Sequence, residues 1–170
     1  METKFEVSYV RDKKFAKEFF SYHLYKRPLG IIFTGICILA IASGMINVFA
    51  YKEYWAVSNI LVGIFLFVFR AIYVKKRVKI TLDRDKESNH GNALLVQNIV
   101  TENSIIVKSS INESGTEIEM SCIKKAYRSK NYIYLITKAK LAIAFDINNF
   151  SKGTPAELIK FIRQKGIKIK

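Results

Sequence analysis

The chain has 170 residues, half of them hydrophobic, yet its formal net charge is +14. The length sets one ordinary domain as the scale. Residues 29–74 hold only Lys52, Glu53 and Arg70 as charged side chains, and such segregation excludes a single soluble core and points to a membrane.

Residues 4–10, KFEVSYV, alternate apolar and polar and predict a short strand. Residues 12–27 predict a helix with Asp12 as cap and an apolar stripe of Phe15, Phe19, Phe20 and Leu24 beside lysines. A basic amphipathic helix just before a span is expected to lie on the inner leaflet or on the C-terminal domain. His23 within it reads as a packing residue. Residues 1–28 form an N-terminal cytoplasmic segment on this reading.

Residues 29–75 predict a two-span hairpin, with spans at about 31–50 and 54–74. At about 1.5 Å per helical residue, either run covers roughly the 30 Å of a bilayer core. The first run has ten Ile, Leu, Val or Phe residues, which favour insertion by about 3–6 kcal/mol at roughly −0.3 to −0.6 each. Arg70 opposes insertion, but it lies close to the end of its run and is expected to snorkel to the interface. Lys52 and Glu53 then form the hairpin tip, flanked by Tyr51, Tyr54 and Trp55 as interfacial aromatics. Basic residues crowd both flanks: Lys4, Arg11, Lys13, Lys14, Lys17, Lys26 and Arg27 before the hairpin, and Lys75, Lys76, Arg77 and Lys79 after it. The positive-inside bias places both termini in the cytoplasm of an inner (plasma) membrane protein. Ala40 and Gly44 make a small-xxx-small pair, and Asn47 and Asn59 are placed to hydrogen-bond across the hairpin.

Residues 76–93 read as a basic juxtamembrane helix tail that becomes a linker. From residue 94 to 170 the period is two, and a β-domain is expected. LLVQNIV and SIIVKSS flank TEN as a hairpin, and TEIEMSCI places Ile118, Met120 and Cys122 on one face. NYIYLIT and LAIAFDI are two further strands joined across Lys138-Ala139-Lys140. TPAELIKFIRQKG predicts a helix with Thr154 as cap, Pro155 at its first position, Glu157 completing a capping box and Gly166 ending it. The expected fold class is therefore α+β: a transmembrane helix hairpin with a small antiparallel sheet or split barrel closed by a C-terminal helix.

This order of parts resembles the YcxB-like family. The most specific stretch is residues 118–166, with a basic-aromatic turn, a Tyr-rich strand, a final strand, then Phe150, Gly153 and the closing helix. Met120 or Ser121 stands where that family commonly has Trp. The resemblance implies a C-terminal domain similar to pleckstrin-homology-like folds and no established activity, so no functional residue carries over.

No phosphate loop, dinucleotide fingerprint, HExxH or GxSxG occurs. Two isolated cysteines, Cys37 and Cys122, give neither a zinc pattern nor a disulfide framework. No cofactor, no metal and no catalytic residue is expected, and nucleic acid is not expected as a partner because charge alone is no recognition motif. The basic surface is the remaining lead: Lys75, Lys76, Arg77 and Lys79 near the membrane, then Lys124, Lys125, Arg128, Lys130, Lys138 and Lys140 on the β-domain. Anionic inner-leaflet lipid attracts such groups by about 1 kcal/mol each. The expectation is a membrane-tethered, non-catalytic module that binds a protein partner or anionic lipid. The alternative is an accessory or immunity-like subunit recognised through its transmembrane helices.

Overall fold

A computed structural model describes residues 2–26 and 28–169, and of His23 the backbone alone. The readings placed on the His23 side chain and on Arg27 lie outside the described residues. The chain divides into two compact units, one of residues 13–83 and one of residues 1–12 with 84–170.

The first unit is helical. Helix α1 (Lys13–Ser21) passes into a short π-helical turn, Tyr22–Lys26. Helix α2 (Pro28–Ala50) follows, with proline at the start where its missing N–H is harmless. A turn at Lys52, which takes a left-handed φ of 58°, and a short 3₁₀ turn, Tyr54–Ala56, lead into α3 (Val57–Ser88). Both apolar runs are thus helical, as their composition predicts. The second helix is much longer than the expected span: residues 76–88 are its continuation, and only the few residues after Ser88 are a linker.

The second unit holds two antiparallel sheets. The larger contains β1 (Phe5–Val10), β2 (Leu95–Val100), β3 (Ser104–Ser109), β4 (Asn112–Glu119) and, at its far edge, a short strand Phe150–Lys152, in the order β4-β3-β2-β1-last. The smaller contains β5 (Ile123–Arg128), β6 (Tyr132–Thr137) and β7 (Ala142–Asp146), so the edge strand Phe150–Lys152 is β8. Helix α4 (Pro155–Gln164) closes the unit. Thr154 caps it by accepting from the Glu157 N–H at 3.3 Å, while the Glu157 carboxylate accepts from the Thr154 N–H at 2.9 Å, the reciprocal pair the sequence predicts.

The core lies between the sheets and α4. Val7, Val100, Ile105, Ile133, Leu135, Phe145, Leu158 and Ile162 are fully enclosed there. Strand β6 is buried at all six positions, so both its faces are covered. One face packs into this core, and the other carries Tyr132 and Tyr134, whose rings lie 5.8 Å apart.

Two expectations change. The N-terminal strand is not part of a separate segment: β1 pairs with β2 along its whole length and with β8 on its other side. Residues 94–170 are therefore an incomplete domain without residues 1–12. Cys122 is exposed rather than aligned with Ile118 and Met120, because the strand ends at Glu119 and Met120–Cys122 form a 3₁₀ turn. Three residues per turn replace the two-residue alternation at that point.

Candidate functional site

The hairpin is held by a seam of small residues. On α2, Cys37 and Gly44 are buried; facing them, Ala56 at the end of the 3₁₀ turn and Gly63 and Arg70 on α3 are buried. Each set recurs every seven residues, the period of a left-handed helix pair. Contact across the seam is close. A Cβ added to Gly44 would stand 2.7 Å from Ile60 Cγ1 and 3.0 Å from the Ala56 carbonyl, and one added to Gly63 would stand 2.5 Å from Ile41 Cγ1. Of the predicted packing residues, Gly44 therefore serves the hairpin itself, with Ala40 half-buried beside it. Asn47 and Asn59 are half-buried, and among the described residues no hydrogen bond joins them; the Asn47 carbonyl instead accepts from the Glu53 N–H at 3.0 Å.

Arg70 departs most from expectation. It does not reach out to water: the residue is 6% exposed. Its Nη1 donates to Thr34 Oγ1 at 2.8 Å, and its Nη2 donates to the carbonyls of Leu24 and, at 3.4 Å, Gly30. The rings of Tyr25 and Phe33 lie 4.6 and 5.0 Å from the guanidinium carbon. The reason is local. In an α-helix the Leu24 carbonyl would accept from residue 28, but residue 28 is proline and has no N–H. The freed carbonyl faces α3, and arginine supplies the donor. Gly30 permits this arrangement, since a Cβ there would stand 2.2 Å from the Leu24 oxygen. Thr34 completes the network by donating to the Gly30 carbonyl at 2.7 Å.

Just beyond Arg70 the basic set begins. Lys75, Lys76, Arg77 and Lys79 are exposed, while Val74 and Val78 are buried on the remaining face. At about 100° per residue the four cations surround the helix on its other sides as a collar. Arg77 Nε donates to the Tyr73 hydroxyl at 2.9 Å. Phe19, Phe20, Leu24, Tyr73, Val74 and Arg77 line an open cleft of about 270 Å³ beneath this collar. It has apolar walls and a cation at one side.

The six basic residues of the β-unit are not one patch. The Lys138 N–H bonds to the Cys122 carbonyl at 2.8 Å, so Lys124, Lys125, Lys138 and Lys140 gather at one end of β6. Arg128 and Lys130 lie at its other end. Six residues at about 3.3 Å each put roughly 20 Å between the two groups. Periodicity shows which residues are exposed, but only strand pairing shows which end of the hairpin each occupies.

A second charged cluster escaped the sequence reading. Glu102, in the β2–β3 turn, pairs with Lys4 and, at 2.6 Å, with Lys165 after α4. Both amines also lie over the Phe161 ring, at 5.2 and 5.4 Å. Hydrogen bonds from Lys165 and Lys4 hold the Glu102 carboxyl down to a pKa of about 2. Asp85, near the end of α3, is buried and pairs with Arg11 at 3.2 Å. Burial pushes the Tyr9 hydroxyl well above its usual range; the Arg11 charge opposes this shift and Asp85 adds to it. Among the described residues no group of three or more His, Cys, Asp or Glu side chains is placed to hold a metal ion.

No family model matches the chain, and no curated protein or solved structure shows significant similarity to it.

Proposed function

We propose that this protein is a membrane-tethered, non-catalytic binding module. In this reading the α2–α3 hairpin crosses the bilayer twice with both termini cytoplasmic. The basic collar on α3 and the cleft beneath it engage anionic phospholipid of the inner leaflet. The β-unit is the cytoplasmic part, a YcxB-like domain of pleckstrin-homology-like kind, and the support for that likeness is the order of its strands and closing helix.

One observation carries the proposal: each helix presents an apolar window of which only 17% is buried within the fold. Leu39, Phe49, Leu61 and Phe65 are each more than 60% exposed. In water such a surface is opposed by about 25 cal/mol per Å² of apolar area, and lipid removes that opposition. The core helix of a soluble protein is mostly covered, and these two are not. Tyr51, Tyr54 and Trp55 are exposed at the tip, as suits an interface. The subunit alternative loses one support, because Gly44 is taken up by the hairpin's own seam and a partner helix would have to use another face.

The test uses the whole chain in nanodiscs of mixed phosphatidylglycerol and phosphatidylcholine. Native mass spectrometry should find phosphatidylglycerol retained several-fold over its share at low salt. Replacing Lys75, Lys76, Arg77 and Lys79 with glutamine should return the ratio to the bulk value. Equal retention in the unaltered protein would remove the lipid assignment and leave a protein partner for the collar. Membrane-impermeant maleimide applied to intact cells should label Lys52→Cys and not a cysteine at either terminus.

A further inference from the structure

Among the described residues of the β-unit, the large apolar side chains left exposed are Val10, Leu95, Ile111 and Leu141, which are 45%, 49%, 50% and 60% exposed. They are far apart in the sequence and close in the fold. Val10 and Leu95 are direct partners in the β1–β2 pair. Ile111 lies in the turn after β3, where the N–H of its neighbour Ser110 donates to the Leu95 carbonyl at 3.0 Å. Leu141 precedes β7 and lines an open cleft of about 320 Å³ between the sheets. Arg11, Leu94 and Ser109 line the same cleft, each within two residues of one of the other three. The four therefore stand around one mouth. The turns away from it are polar: TEN between β2 and β3, and Ser129–Asn131 between β5 and β6.

The cleft presents its rim rather than its interior. Asn98 lines it, and this residue is fully enclosed, with Nδ2 donating from β2 to the Ala144 carbonyl of β7 at 2.6 Å. An enclosed amide that ties the two sheets together offers nothing to a partner, whereas the apolar rim is open. Leu141 is also held in its exposed place. Its N–H donates to Thr137 Oγ1 at 3.0 Å, and its carbonyl accepts from the Thr137 N–H at 2.9 Å. Lys138 and Lys140 share its turn, and both are exposed. Glu113, two residues after Ile111, offsets part of this charge. Leucine beside lysine on a fixed turn matches the boundary of an anionic bilayer, where alkyl groups meet acyl chains and ammonium groups meet phosphates. The same face is where the chain leaves the β-unit, since Val10 stands three residues before Lys13, the first residue of the helical unit.

We propose that this face is a second membrane contact, in which Val10, Leu95, Ile111 and Leu141 enter the inner-leaflet interface and Lys138 and Lys140 meet the phosphates of anionic lipid. The inference rests on the reading that the hairpin spans the bilayer, and it adds which end of the β-unit meets lipid. The tether keeps the face near the leaflet, so contacts that are weak one by one suffice.

The test uses the whole chain in nanodiscs of phosphatidylglycerol and phosphatidylcholine, with Cys37→Ala and Cys122→Ser and one introduced cysteine that carries a nitrobenzoxadiazole fluorophore. The label is placed by Ile111→Cys, Leu141→Cys, Lys130→Cys or Phe65→Cys, and quenching by nitroxide-bearing lipid is read. Quenching should be several-fold stronger at residues 111 and 141 than at 130, which lies at the other end of β6. Lys138→Gln with Lys140→Gln, at exposed positions that the fold does not use, should lower quenching at 111 several-fold, and added salt should act in the same direction. The label at 65 reports on the hairpin itself. Strong quenching at 65 with no more at 111 and 141 than at 130 would overturn this proposal, leave the face to a protein partner and keep the membrane reading. An unquenched label at 65 would overturn both.

Discussion

Replacing Arg70 by methionine should loosen the junction between the π-helical turn and α3, and proline 28 should decide by how much. The substitution removes the donors to Thr34 Oγ1 and the Leu24 carbonyl. Hydrogen bonds to a charged group contribute about 1.5–3 kcal/mol each in soluble proteins, and bonds within lipid closer to 0.6–1.7. Stacking on Tyr25 and Phe33 adds about 0.5–2 kcal/mol. Relief from burying a charge offsets part of the sum. The expected net loss is about 2–4 kcal/mol by those same terms. Most of the loss comes from an orphaned carbonyl, so restoring its natural donor should recover part of it. Pro28→Ala places an N–H at residue 28, where an α-helix would direct it to Leu24. In that background Arg70→Met should cost at least about 1 kcal/mol less. The assay is equilibrium unfolding of the full chain in detergent, followed by circular dichroism, for both single variants and the double. Independent sites add to within about 0.3–0.5 kcal/mol. Additivity at that level would refute the claim that arginine stands in for the amide that proline lacks.

Other outcomes follow from the same geometry. Gly63→Val should destabilise the hairpin by about 1–3 kcal/mol through overpacking, because the new Cβ would meet Ile41 at 2.5 Å, whereas Gly35→Val, with nothing within 4 Å, should cost much less in the same unfolding assay. Deleting residues 1–12 should expose β2 and β8 together and abolish protection of the β-unit amides in hydrogen exchange; retained protection would show that β1 is dispensable. Thr154→Ala should cost about 1 kcal/mol by removing the capping box, read as a shift in thermal midpoint. Glu102→Gln should lower stability at neutral pH. The folded carboxyl titrates at about 2, below its ordinary 4.5, so its contribution is present above pH 4.5 and disappears as pH falls toward 2. The difference between Glu102→Gln and the unaltered chain should shrink across that window and with added salt, and a gap that widened with acid would contradict it.

What the sequence determined by itself was whatever depends on neighbours along the chain. The two apolar helices, the TEN hairpin and the Thr154–Glu157 cap all arise from residues within a turn or two of one another, where hydropathy, periodicity and capping chemistry act directly. Only the tertiary structure decided the long-range pairings. β1 lies more than eighty residues from its partner β2, and an alternating heptapeptide has the same pattern whichever strand it joins. Arg70 reads as a cation near the end of a span until the fold sets it against a carbonyl that proline left without a donor. Asn98 reads as a polar residue in a strand until burial removes the water that would otherwise have satisfied it. For Arg70 and Asn98 the deciding term is the loss of solvent at a buried polar group, and that loss is defined by what packs around it from elsewhere in the chain.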